Sequence, residues 1–444
     1  MASIAAVLPF TGAVPILLGY PDARHYLFFF ENSTELRPTG GFLGVYGALT
    51  VKDADIAEMH TDDVYALDGP SEKTARPAPP APIRKYIGID KWYLRDANWS
   101  PDFSVSAAIM ERFYREEYAA ATGAKDAPPI DGIVAITPAF AEDVMRIVGP
   151  VTVQGKTFTA DNLVDELQFQ VEQGFVQEGI PFDRRKDIVG ELVREVVGKL
   201  AALPLSRLID ALGIANRAVK EGHILAYAKD PAIQKIIDDR GMAGHLAPVA
   251  GDYFRLVDAN LASLKTDGVM ERNVRYEIAP SGSGFEGKVI VTYRNKGTFT
   301  WKTSRYRTYA RLYVPAGTEL LGVDGAMEND KIKDPGRHPG KADVYDELDR
   351  RAFGAFISIE PGETRTLTFR FRLAPSVAGM IGKGTYHLDA EKQPGTIAHG
   401  LTLDLDFGKK LTSAVPGEDR KEWGDTRYRL STDLRIDRAF EVKF

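Results

Sequence analysis

The chain has 444 residues, 44% apolar and 27% charged, proportions that argue against a disordered or fibrous protein. Its net charge of −6 gives no sign of the basic stripe of a nucleic-acid binder, so no nucleic-acid partner is expected. It has no cysteine, which removes disulfides, thiolate metal sites and cysteine nucleophiles together. Its length exceeds one ordinary core and points to two domains.

The opening stretch "ASIAAVLPFTGAVPILLGY" is apolar and broken by Pro9 and Pro15. With no run of about eighteen apolar residues, it reads as a membrane-proximal segment (residues 1–23) rather than a span. From Arg24 to Val51 the pattern is strand, polar turn, strand, followed by the turn "KDAD" and a further strand "IAEMHT". The four prolines of "TARPAPPAPIRKY" predict an extended, exposed loop. Ser100 as N-cap and Pro101 at the first position predict a helix with Ile109 and Phe113 on one face. "IDGIVAITPAFAEDVMRIVGPVTVQG" reads as strand, Thr137-capped helix and strand, the grammar of an α/β layer. A third helix is expected to start near Asp183, with Ile188, Leu192, Val196 and Leu200 at four-residue spacing. "GDYFRLVDANLASLKTDG" is expected to supply the last strand and turn of this domain.

After about residue 270 helical periodicity gives way to alternation. In "TLTFRFRL", Leu367, Phe369, Phe371 and Leu373 share one face while Arg370 and Arg372 share the other. The expected organisation is therefore an α/β domain over 24–270, its mixed sheet covered by helices, followed by an antiparallel, Ig-like β-sandwich over 271–444 that is almost free of helix.

The run Asn32-Ser-Thr-Glu-Leu-Arg-Pro-Thr-Gly-Gly-Phe42, with "RDANWSPDF", "DGIVAITP", "GDYFRLVDANLASLKTD" and "KQPGT", resembles the bacterial domain-of-unknown-function 4012 family. The resemblance implies an N-terminal membrane helix upstream of this chain, hence an extracytoplasmic, membrane-anchored protein. In the order of "YGALTVKDADIAEMHTDD", "IDGIVAITPAFAEDVMRIVGPVTV", "FTADNLVDEL" and "FDRRKDIVGELVREVVGKL", the chain is in turn similar to the LytR-CpsA-Psr family, which moves glycopolymers from a polyprenyl pyrophosphate carrier to the bacterial wall. That similarity implies a polyprenyl-phosphate or glycan ligand in the cell envelope. This chain departs from the second family at its early metal-binding Asp, absent from "GGFLGVYG", and at its arginine-rich segment, here "LQFQVEQ".

Phosphoryl transfer needs arginine forks and a divalent ion held by carboxylates. The candidates for catalysis are Arg37, Arg95, Asp183, Arg184 and Arg185. Asp62, Asp63 and Asp96 are the candidates for Mg²⁺. Asn32, Glu35, Gly40, Gly41, Asn98, Asp102, Asn260 and Lys265 are candidate ligand-binding groups on turns and strand ends. Each also has a plain structural reading. Arg37 can pair with Glu35, Gly40 and Gly41 can form a tight hairpin entry rather than an anion nest, and Asp183 can cap a helix. Asn98, Asp102, Asn260 and Lys265 can brace loops, and Asp62 and Asp63 can be solvated charges. Two functions stay open at this point: a glycopolymer transferase, or a non-catalytic surface binding or assembly protein that keeps the fold.

Overall fold

The computed structural model describes residues 13–444. The first twelve residues of the membrane-proximal stretch lie outside the described residues, and Val14–Leu17 forms a single helical turn. Among the described residues no helix is long and apolar enough to cross a membrane. The protein is a mixed α/β chain of two compact units. The first comprises residues up to Ser33, Thr39–Pro80 and Ile89–His245, and the second comprises Thr34–Pro38, Ala81–Gly88 and Leu246–Phe444.

The first unit is built on strands β1 (Arg24–Asn32), β2 (Phe42–Lys52), β3 (Asp55–Asp63) and β4 (Gly132–Ile136), a separate hairpin β5 (Val151–Val153) and β6 (Lys156–Phe158), and β7 (Ile224–Ala228). The main sheet has the order β3-β2-β1-β4-β7. Within it β1 and β4 run parallel and the other neighbours antiparallel. Helix Phe103–Thr122 covers one face. Its Phe103, Ala107, Met110 and Phe113 recur at helical spacing and pack on Leu27, Phe29, Ile133 and Leu225. A second core joins helices Pro138–Val148, Leu163–Phe169 and Asp187–Ala201 to the β5-β6 hairpin through Met145, Val151, Phe158, Leu163, Ile188 and Leu192.

Two helix starts differ from expectation. Asp102, not Ser100, caps the helix at Phe103, because its carboxylate accepts from the Val105 amide at 3.2 Å. The third long helix starts at Asp187, with Phe182–Arg184 a tight 3-10 turn, so Asp183 caps nothing there. The proline-rich run is not wholly extended either. Ala81–Ile87 is helical, since Pro82 falls in the first turn, where a missing amide costs no hydrogen bond.

The second unit holds the remaining strands: β8 (Asp252–Asn260), β9 (Met270–Ser281), β10 (Gly284–Asn295), β11 (Tyr306–Pro315), β12 (Glu319–Asp324), β13 (Asp343–Glu347), β14 (Arg350–Ile359), β15 (Thr364–Arg372), β16 (Thr385–Glu391), β17 (Gly400–Asp406), β18 (Ser413–Val415), β19 (Arg427–Asp433) and β20 (Arg438–Lys443). They form a six-stranded sheet, β12-β15-β10-β9-β17-β19, and a seven-stranded sheet, β13-β14-β11-β8-β16-β20-β18. Aromatic pairs join the two: Phe254 with Tyr276, Tyr293 with Tyr306, and Phe353 with Phe369.

Neither sheet is purely antiparallel, because β8 pairs parallel with β16 and β9 parallel with β17. Strand β8, read from sequence as the last strand of the α/β domain, lies instead inside the seven-stranded sheet, where all nine of its residues are buried. Helix Pro375–Gly382 interrupts the β pattern once more.

Candidate functional site

The polar turn after β1 divides between the two units. In the first unit, Glu31 at the end of β1 is fully buried. Its Oε1 accepts from Thr39 Oγ1 at 2.5 Å and Asn98 Nδ2 at 3.2 Å. Asn98 also donates to Thr39 Oγ1 and to the Gly41 carbonyl, each at 2.8 Å. Burial pushes the Glu31 carboxyl up to about 8. The glycines have a steric cause. Gly40 has φ +142°, and a Cβ there would lie 2.3 Å from Glu31 Oε2, while one on Gly41 would meet the Asn32 backbone at 2.4 Å. Asn32 itself closes β1 opposite Phe42. Nearby Thr137, which follows β4, makes no side-chain cap bond to the helix at Pro138, contrary to the sequence expectation, because its hydroxyl shares a 2.9 Å hydrogen bond with His223.

In the second unit, Thr34–Pro38 is held by backbone and side-chain bonds. The Asn260 amide donates to the Leu36 carbonyl at 2.9 Å, and the Asp267 amide to the Thr34 carbonyl at 3.1 Å. Arg37 is buried, donates to the Asn260 carbonyl at 2.6 Å and pairs with Glu35 at 3.5 Å. Gln393 donates to the Arg37 carbonyl at 3.1 Å. Asn260 Nδ2 donates to Asp267 at 2.7 Å, and Arg272 joins Asp267 to Asp258. Lys265 opens the turn Thr266–Val269 and donates its amide to the Lys302 carbonyl. Arg37, Glu35, Asn260 and Lys265 thus serve one buried network or its adjoining loop.

A different set of candidates comes together at the β2-β3 end of the first unit. Asp63, the last residue of β3, takes Arg185 Nη2 on one oxygen and Lys186 Nζ on the other, each at 2.8 Å. Lys186 also donates to the Gly44 carbonyl at 2.6 Å. Burial holds its ammonium below the usual lysine range, with Asp63 opposing that shift. Tyr65 begins the next helix, Tyr65–Ser71. Arg95 lies 5.3 Å and Lys186 5.9 Å from the centre of its ring. Arg95 is oriented by Asp68 at 2.8 Å and Asp96 at 3.7 Å, and rests on Tyr93. Arg185 stacks on Phe182 at 3.6 Å. The result is three cations interleaved with aromatic faces, of which Tyr65 and Phe182 are exposed to solvent.

The other candidates lie apart from this cluster. Arg184 points outward and pairs with Asp187 at 3.0 Å, and Asp183 is exposed. Asp62 accepts from the Asp63 amide and faces His60 at 3.8 Å. Asp102 pairs with His245 at 2.8 Å besides capping its helix. Among the described residues no three His, Asp or Glu side chains group in a way that could hold a metal. Asp63 and Asp96 face cations instead, so they do not fit a Mg²⁺ set, and no step is assigned to that ion.

Sequence reasoning passed over Lys186 and Tyr65. Lys186 follows Arg184-Arg185 directly, and Tyr65 follows Asp62-Asp63 by two residues, so both sat beside residues already singled out.

No curated protein matches the chain. Among solved structures it is similar to the Lin1025 protein from Listeria innocua, at 12% identity over 50% of this chain and 78% of that one, with a TM-score of 0.28. It is also similar to the lpg2210 protein from Legionella pneumophila, at 9% identity over 44% and 70%, TM-score 0.25. A third is an M1 zinc metallopeptidase from Deinococcus radiodurans, at 9% over 41% and 43%, TM-score 0.20. Residues 22–171 match the family model described as protein of unknown function (DUF4012).

Proposed function

We propose that the first unit is a non-catalytic binding module for a phosphorylated ligand of the bacterial cell envelope, a glycan carried on a polyprenyl phosphate or pyrophosphate. The observation that carries this reading is the grouping of Arg95, Arg185 and Lys186 around Asp63 and Tyr65. Guanidinium forks and an ammonium grip phosphate oxygens, and exposed aromatic faces beside them give a sugar or prenyl group a surface to lie on. The envelope setting of this proposal rests on the sequence resemblance alone. Asp63 and Asp96 already face cations. That use of the carboxylates favours binding over metal-assisted transfer.

The test is equilibrium binding of a polyprenyl phosphate and of the uncharged polyprenol in the same detergent micelles. The reading expects the phosphate to bind and the alcohol to bind at least about tenfold more weakly, the equivalent of one charge-assisted contact. Equal binding of the two, or none, contradicts it.

A further inference from the structure

The carboxylate that orients Arg95 belongs to a wider buried cluster. Asp68, on helix Tyr65–Ser71, accepts from Arg95 Nη1 on Oδ2 at 2.8 Å. Glu117, on helix Phe103–Thr122, accepts on Oε1 from Arg76 Nη2 at 2.6 Å and from the Leu94 amide at 2.9 Å. The two side chains are only 1% and 0% exposed. Their second oxygens, Asp68 Oδ1 and Glu117 Oε2, are buried and take no donor from any other group. Asp68 and Glu117 hydrogen-bond to each other instead. Ionised carboxylates only accept, so this bond exists only while one of the two is protonated. Burial raises both carboxyls, and the Asp68 charge adds to the rise at Glu117.

The surrounding charges call for the same proton. Asp96, 3.7 Å from Arg95, is the third buried carboxyl, and Arg76 and Arg95 are the two guanidinium groups that face the set. Three carboxylates against two cations leave one buried negative charge uncompensated, whereas one retained proton makes the set neutral. Glu116 takes the other arm of Arg76 at 2.8 Å but is 48% exposed, so water screens it. Tyr93 lies beside both guanidinium groups, and burial pushes its phenol up, which keeps it neutral.

We infer that Asp68 and Glu117 hold one proton between them and so act as positioning residues for Arg95. The bond ties helix Tyr65–Ser71 to helix Phe103–Thr122, while Glu117 also holds the Leu94 amide next to Arg95. Loss of the proton sets two buried anions side by side and loosens both supports of the guanidinium. The contribution is full below the ordinary carboxylate range and is lost as pH rises through the raised value. The consequence for phosphate binding rests on the function proposed above; the shared proton does not.

The proton is read first, without ligand, by infrared difference spectroscopy of the unaltered chain against Glu117→Gln at neutral pH. The unaltered chain should show a protonated-carboxyl carbonyl band that Glu117→Gln lacks, because the Gln amide donates to Asp68 and leaves it ionised. Glu31 is the same in both chains and cancels. A difference spectrum holding only ionised-carboxylate bands overturns the inference. The second reading is polyprenyl phosphate affinity per folded molecule across the alkaline range. Lys186, whose ammonium is held below the usual lysine range by burial, titrates on the same side, so the series is run in a Lys186→Met background. There affinity should fall about tenfold as pH rises, the equivalent of one charge-assisted contact. Adding Glu117→Gln should remove that fall, and adding Glu117→Ala should weaken binding at every pH. A fall that persists with Glu117→Gln, or no fall in the background chain, overturns the positioning role. Absence of polyprenyl phosphate binding by the unaltered chain removes the function reading and the positioning role together, while the infrared band still decides the shared proton.

Discussion

Arg185 and Asp63 are 122 residues apart in sequence and 2.8 Å apart in space. Lys186 takes the other oxygen of the same carboxylate, so one buried anion holds two cations at the end of β3. Asp63 therefore assembles the cluster and also competes with any anion that approaches it.

Replacing Asp63 should separate these two roles. Asp63→Asn leaves two buried cations without their counter-charge and is expected to destabilise the fold by about 3 to 5 kcal/mol, read by urea unfolding. The same variant should bind polyprenyl phosphate more tightly per folded molecule, because the competing carboxylate is gone. A variant that loses both stability and affinity makes Asp63 a positioning residue for the site instead.

Glu31 gives a pH signature. Its carboxyl titrates at about 8 in the fold against an ordinary value of 4.5, so the folded chain binds the proton more tightly than the unfolded one. The stabilising contribution is full below the ordinary value, declines as pH rises, and is gone above the folded value. The slope across that window should approach about 1.4 kcal/mol per pH unit from this group. Unfolding titrations of Glu31→Gln, which keeps the shape without the titration, should show that slope removed.

His245 behaves in the same sense for a different reason. Asp102 at 2.8 Å, with Asp238 at 3.1 Å, holds the imidazolium above its ordinary value. Stability from this contact is full below the ordinary histidine value and is lost as pH rises through the raised one. Asp102→Asn should flatten that dependence while keeping the helix cap, whereas Asp102→Ala should also lose the cap, at a cost of about 1 kcal/mol. Thermal melting at acid and alkaline pH distinguishes the pair.

Arg37 is expected to act on stability alone. Its guanidinium ties the Thr34–Pro38 segment to the end of β8, so Arg37→Ala should lower unfolding free energy by about 1 to 3 kcal/mol and leave polyprenyl phosphate affinity per folded molecule unchanged. Weakened binding in a variant that melts normally would bring Arg37 back as a ligand group.

Local features were the legible ones. Strands β1, β2 and β4 and the existence of helices near Phe103 and Pro138 follow from neighbouring residues and were legible, whereas the caps were not: Asp102 rather than Ser100 caps the first, and the Thr137 hydroxyl pairs with His223 instead of capping the second. The allegiance of β8 was hidden: its burial on both faces gives a continuous apolar and polar mixture that alternation cannot assign, and its partners β11 and β16 are distant in sequence. The parallel pairs β8 with β16 and β9 with β17 leave no turn signal for the same reason. Among candidate residues, Arg95 and Arg185 could be nominated by type, but only the fold brings Asp63 and Tyr65 to them. For Arg37, pairing with Glu35 was one of the readings open from sequence. Its bond to Asn260 was not legible, since it spans 223 positions.

The measurement closest to the central claim is polyprenyl phosphate affinity across a charge series at the cluster: the unaltered chain, Lys186→Met, Arg95→Gln, and both together, each with its melting temperature. Each single change should weaken binding by about 1.5 to 3 kcal/mol, roughly one to two decades, and the pair should weaken it further, with the same variants binding polyprenol as the unaltered chain does. Affinity for the phosphate that stays level across the folded variants would contradict the account.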